Sequence, residues 1–129
     1  MGIESSTRIA ERVIEAINQR NRDAIEELAH PEVQLRMPPA RVFYGTDGVH
    51  RFFDELESRV PDLTVTADKI HAGDHFAVVE WESAGHTRRN DPDEEMGALI
   101  LHLSEGRIKR AHLYLDLERW EKLGAQSSA

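Results

Sequence analysis

The sequence predicts an α+β fold, a cone-shaped, curved antiparallel sheet packed on three helices from the N-terminal half and enclosing a pocket. Apolar residues recur at helical spacing up to Val60 and at a period of two from Leu63 onward, and only short turns separate the later segments. Helices gathered early and a meander late pack most economically as one sheet closed on its concave side by the helices.

Each element follows from local pattern. Ser5, Ser6 and Thr7 offer helix N-caps ahead of Ile9, Val13, Ala16 and Ile17, the stripe of an amphipathic helix running to about Arg20. Asn21 and Asp23 cap a shorter helix with Ala24, Ile25 and Leu28 inward, stopped at His30-Pro31 because proline disfavours a helical residue before it. Val33, Leu35 and Met37 then alternate with Gln34 and Arg36 in a short strand that ends in the stiff Pro38-Pro39 loop. A third helix starts near Thr46 and carries Val49, Phe52, Phe53, Leu56 and Val60 on one face up to Pro61. Strands follow near 63–71, 75–87, 95–103 and 107–116, broken at Gly73-Asp74, Asn90-Asp91-Pro92 and Glu105-Gly106. Leu117, Trp120 and Leu123 form a last helical turn ending at Gly124. The whole chain, 1–129, reads as one domain with loose ends at about 1–5 and 125–129.

Period two also assigns faces. Ala77, Val79, Trp81 and Ser83 share one face against Val78, Glu80 and Glu82; Leu99, Leu101 and Leu103 oppose Ile100 and His102; Ala111, Leu113 and Leu115 oppose His112, Tyr114 and Asp116. The apolar set faces the pocket.

Composition excludes several function classes. The net charge of −8 repels phosphate backbones and anionic lipid, so nucleic acid and membrane are not expected partners. With no cysteine, thiolate metal sites and cysteine nucleophiles are absent. No segment approaches the ~20 apolar residues of a membrane-spanning helix and Met1 to Thr7 lacks a signal core, so the expected location is cytoplasmic.

Met37-Pro38-Pro39 followed by Tyr44-Gly45-Thr46-Asp47-Gly48-Val49, the Val79-Glu80-Trp81 strand, and Glu105-Gly106-Arg107-Ile108 leading to Tyr114-Leu115-Asp116-Leu117 carry a family resemblance. From about Ser6 to Gly124 the chain resembles the nuclear transport factor two-like superfamily, in particular its SnoaL-like polyketide cyclase and limonene epoxide hydrolase branches. The resemblance implies a homodimer whose cone-shaped pocket takes a small, largely apolar molecule. It also implies where family chemistry would sit. The epoxide hydrolases' arginine and acid fall at Trp81 and Ser83, their second acid near Leu113, and their water-positioning pair near Gln34 and Arg36. The cyclases' histidine and acid fall at about Leu99 and Leu113, and a leucine cannot move a proton.

The candidate ligand-binding residues are therefore Gln34, Arg36, Trp81, Ser83, Leu99, Leu101 and Leu113. Arg36 would clamp a carboxylate or enolate if its strand faces inward; with Leu35 and Met37 inward instead, it lies in water. Trp81 offers a planar face and an indole N–H, or simply core. Asp116 reads as the cap of the following turn, and His86 or Asp116 is the group available to move a proton. The acids at 91, 93, 94 and 95 read as a solvated hairpin, and the seven histidines lack metal-site spacing, so no metal or other cofactor is expected. Two functions follow: an isomerase, cyclase or lyase of polyketide, terpene or steroid-like substrates, or a non-catalytic dimeric binding protein that pairs through an outer face bearing Ile100, His112 and Tyr114.

Overall fold

The computed structural model describes residues 2–128. The order is α1 (Ile3–Gln19), α2 (Arg22–Leu28), β1 (Ala29–Met37), β2 (Arg41–Tyr44), α3 (Gly45–Arg59), β3 (Thr64–Ala72), β4 (Phe76–His86), β5 (Pro92–Ser104), β6 (Arg107–Tyr114) and α4 (Leu117–Ser128). Six strands form one sheet in the order β2-β1-β6-β5-β4-β3, and the α+β class stands.

The sheet is mixed rather than wholly antiparallel. β6 returns from the meander to lie parallel to β1, with Leu35 opposite Ala111 and Arg36 opposite His112. Turn residues report only antiparallel neighbours, so this pairing across the whole chain has no local signal. Register shifts between Ala67 and Lys69 on β3 and between His102 and Leu103 on β5 bend their strands, as bulges do.

Other boundaries also differ from the pattern. Helix α1 begins at Ile3 with Gly2 as a cap that makes no side-chain bond, ahead of the expected Ser5–Thr7 caps and through part of the expected loose start. Helix α4 continues past Gly124 to Ser128, where a loose end was expected from 125; Met1 and Ala129 lie outside the described residues. The segment Arg41–Tyr44 pairs with Gln34–Met37 as a hairpin strand after the cis Pro38-Pro39 bond.

The helices cover one face. Ile9, Ala10, Val13 and Ile14 of α1 pack on Ala77, Val79, Leu99, Leu101 and Leu103 in the main core. Asn18 docks α1 on strand β3, its amide donating to the Val65 carbonyl at 2.9 Å and its oxygen accepting from the Val65 N–H at 2.7 Å. A second cluster joins Met37, Phe43, Leu56 and Trp120, and so brings α3 and α4 together at one end of the sheet.

Polar bonds hold α4 there. The Trp120 indole N–H donates to Glu55 at 3.2 Å, Arg41 bridges Glu55 at 2.5 Å and Glu121 at 2.6 Å, and Arg59, only 8% exposed, pairs with Glu55 and lies 4.8 Å over the Trp120 ring. Burial pushes the Glu55 carboxyl up, but hydrogen bonds from Arg41 and Arg59 outweigh it and hold the group below its ordinary value.

Candidate active site at the polar end of an apolar cavity

Between the sheet and the helices lie two adjoining cavities, of about 70 Å³ and about 90 Å³, that share Ile17, Phe52, Leu99 and Leu113 as walls. The larger is apolar throughout, walled by Val33, Leu35, Phe43, Val49 and Leu101 among others. The smaller is apolar on the α1 side and polar at one end, where Trp81, Ser83, Asp93 and Glu95 meet.

The β4–β5 register explains this gradient. Along the inner face the opposed pairs are Val79 with Leu99, Trp81 with Gly97, Ser83 with Glu95, and Gly85 with Asp93. Residues directly opposite on one face have Cβ atoms about 5 Å apart, so Ser83 and Glu95 are immediate neighbours. Gly97 has no room for a side chain: a Cβ there would run into the Tyr114 carbonyl oxygen of β6 and lie 2.6 Å from Trp81 Cζ2.

Arg119 of α4 closes the polar end. Its guanidinium pairs with Asp93, 4% exposed at the side chain, and reaches Glu95 Oε2 at 3.0 Å. Asp116 caps α4, its carboxylate accepting from the Arg119 N–H at 3.1 Å, while its own N–H donates to Glu95 Oε1 at 3.1 Å. Two carboxylates, Asp93 and Glu95, thus share one guanidinium, and the third, Asp116, binds the backbone N–H of the same arginine. Burial raises the Glu95 carboxyl above its ordinary value; the Asp116 N–H opposes the rise and the Asp116 charge adds to it.

The polar end opens onto a groove lined by Thr64, Thr66, Glu82, Glu94, Met96 and Asp116. Its rim is acidic, and the Asp68 carboxylate beside Glu82, with Glu94, raises Glu82 above the usual carboxylate range. Trp81 is 8% exposed, and its indole nitrogen is buried with no hydrogen-bond partner among the described residues.

The candidate residues are divided between the two faces of the sheet. Trp81, Ser83, Leu99, Leu101 and Leu113 line the cavities. Arg36 and Gln34 do not: β1 buries Val33 and Met37 inward, so Arg36 is exposed on the outer face, its guanidinium 3.1 Å from Gln34 Oε1. No clamp from Arg36 reaches the cavity. His86 pairs with Asp62 at 2.8 Å on the surface and is not among the cavity residues.

Pattern alone conceals Asp93, Glu95 and Arg119: the two acids look like a solvated hairpin, and Arg119 lies on a helix, 24 residues beyond Glu95, with no local sign of its partners. β5 begins at Pro92, and the inward parity of Leu99, carried back through Gly97, reaches both acids. Among the described residues no group of three or more histidine, aspartate or glutamate side chains is arranged to hold a metal ion, and no helix is long and apolar enough to cross a membrane.

None of the curated proteins is similar in sequence to this chain. Among solved structures, a nuclear transport factor two-like protein of unknown function from Burkholderia pseudomallei is similar at 13% identity and a TM-score of 0.83, covering 92% of this chain and 96% of its own. A protein from Jannaschia sp. CCS1 with the provisional name of SnoaL-like polyketide cyclase is similar at 15% identity and a TM-score of 0.77, covering 92% of each chain. An LEH-like epoxide hydrolase from M. tuberculosis is similar at 14% identity and a TM-score of 0.75, covering 97% of this chain and 92% of its own. These share the fold. The SnoaL-like domain family matches residues 10–111, most of the sheet with α2, α3 and the larger part of α1, and the chain belongs to that family.

Proposed function

We propose that the cavity takes a small, neutral, largely apolar molecule and that Glu95 moves a proton on it, as an isomerase, cyclase or lyase requires. The observation that carries this reading is Glu95 itself, a largely buried carboxyl with a raised proton affinity at the only polar end of an apolar cavity among the described residues. A carboxyl poised in this way holds or releases a proton nearer neutral pH than an exposed one.

Charge and size narrow the ligand. Arg119 is already engaged by Asp93 and Glu95, and Glu82 and Glu94 stand at the rim, so a carboxylate ligand meets repulsion without a free cation. A cavity of about 150 Å³ admits benzene; two adjoining cavities of about 70 Å³ and 90 Å³ therefore suit one ring or a terpene fragment better than a steroid.

The test is exchange of the methyl protons of acetophenone with D2O, followed by proton NMR. The wild-type protein accelerates exchange over buffer and Glu95→Gln abolishes the acceleration. No acceleration by the wild type overturns the reading.

The leucines at 99 and 113, where cyclases of this branch carry their histidine and acid, favour the second reading, a non-catalytic binding protein. In either reading we propose a homodimer through the outer sheet face. Ile100, His112 and the 42% exposed Tyr114 lie on it, with the His102 and His112 rings 5.2 Å apart. A mass of one chain at micromolar concentration in analytical ultracentrifugation overturns that assembly.

A further inference from the structure

We propose that the Trp81 indole N–H is the donor that binds the ligand's oxygen, which makes the ligand a carbonyl compound with its acidic C–H beside that oxygen facing Glu95. This deepens the function proposed above and rests on it for the role of Glu95.

The great majority of buried polar groups in folded proteins have a partner, and a buried donor without one lacks the bond it makes to water when unfolded. Trp81 Nε1 is such a donor, in a side chain 8% exposed that lines the cavity. The other tryptophan shows the contrast. Trp120 also lines the cavity, yet its indole N–H is spent on Glu55 at 3.2 Å. Trp81 also lies close against the facing strand, where Gly97, opposite it, carries no side chain and a Cβ would meet both the ring and the Tyr114 carbonyl.

Position then sets the chemistry. Trp81 stands one residue pair deeper than the opposed Ser83 and Glu95, on the same inner face of β4 and β5. An oxygen bound at Trp81 has the apolar walls on one side and the Glu95 carboxylate toward the mouth. Only an acceptor satisfies an indole N–H, so an ammonium gains nothing there, whereas an alcohol, ether or carbonyl oxygen does. Of these only a carbonyl, as in a ketone, an aldehyde or a lactone, acidifies the neighbouring C–H enough for a carboxylate to take its proton.

The resulting step is balanced within the pair. The Glu95 carboxylate takes the proton from the carbon next to the carbonyl. The electron pair of that C–H bond becomes the new C=C bond, and the C=O π pair moves onto the oxygen. The enolate oxygen gains charge as it forms, so the Trp81 hydrogen bond is stronger there than to the starting carbonyl. Return of the proton from Glu95 to another carbon of the conjugated system completes an isomerisation with no oxidant or co-reactant.

Acetophenone and its hydrocarbon isostere α-methylstyrene test the assignment, with the two indole N–H signals of the 15N-labelled protein as the readout. Acetophenone moves the Trp81 signal downfield and leaves that of Trp120 in place; α-methylstyrene moves neither downfield. The ratio of acetophenone to α-methylstyrene affinity falls about tenfold in Trp81→Phe, the size of one hydrogen bond, while the unshifted Trp120 signal reports that the variant is folded. An unmoved Trp81 signal at saturating acetophenone, an unchanged affinity ratio, or no acetophenone binding up to its solubility each overturns the proposal. In Glu95→Gln the Trp81 shift persists although exchange is lost. A Trp81 shift with no proton exchange in the wild type would uphold the hydrogen bond and refute the catalytic role of Glu95.

Discussion

Replacing Arg119 by methionine removes the only cation that pairs with the buried Asp93 among the described residues. The Asp93 side chain is 4% exposed, Glu95 is 16% exposed and Arg119 is 33% exposed, so the pair is buried at one end and wet at the other. Leaving a buried charge without its partner costs about 3–5 kcal/mol. The solvent at Arg119 places this pair at the lower end, about 3 kcal/mol, or about a 10 °C fall in midpoint for a chain of this size. Asp93→Asn leaves Arg119 with Glu95 and water and costs less, about 1–2 kcal/mol. The double variant should then recover about 1–2 kcal/mol relative to the sum of the singles. Urea unfolding followed by tryptophan fluorescence measures all three at pH 7. A loss under about 0.5 kcal/mol or strict additivity would refute the buried ion pair.

Leu99→Ala opens a wall shared by both cavities and should cost about 2–4 kcal/mol in urea unfolding. Arg36→Ala lies on the outer face and should leave both stability, within about 0.5 kcal/mol, and acetophenone exchange unchanged. Glu55 and Glu95 should move stability in opposite directions with pH. The folded state holds Glu55 below its ordinary value, so its contribution is present above the unfolded pKa and is lost as pH falls through the folded one. Glu95 is held above its ordinary value, so its ionisation erodes stability as pH rises from the unfolded pKa through the folded one. Thermal melts of Glu55→Gln and Glu95→Gln against pH should therefore show the first variant losing its deficit in acid and the second gaining on the wild type toward neutrality.

How far this site was legible depends on where each residue's partner lies. The inward faces of β4, β5 and β6 follow from period two alone, because Val79, Leu99 and Ala111 are buried for the same apolar reason their neighbours are not. On β1 the alternation points Arg36 to water and the family register turns Gln34 and Arg36 inward. The candidate list follows the register, and the structure follows the alternation, with Val33 and Met37 buried and Arg36 exposed. Asp93 and Glu95 defeat the pattern for a physical reason. Their burial is supported by Arg119, on a helix that follows the sheet, and charged residues beside Pro92 look like a turn until that partner is seen. Gly97 interrupts the apolar alternation at the point where it would have led back to them, because both the Tyr114 carbonyl and the Trp81 ring crowd its Cβ position. The parallel β1–β6 pair is hidden in the same way, as a contact between the two ends of the chain.

Titration of the side-chain carboxyl carbons by carbon-13 NMR, with the Glu95 signal assigned by its loss in Glu95→Gln, tests the central claim most directly. The account predicts a Glu95 midpoint above the ordinary glutamate value of about 4.3, because burial penalises its charged form. A midpoint at or below that value would show Arg119 holding Glu95 permanently ionised as a structural counter-ion, and would contradict its role in proton transfer.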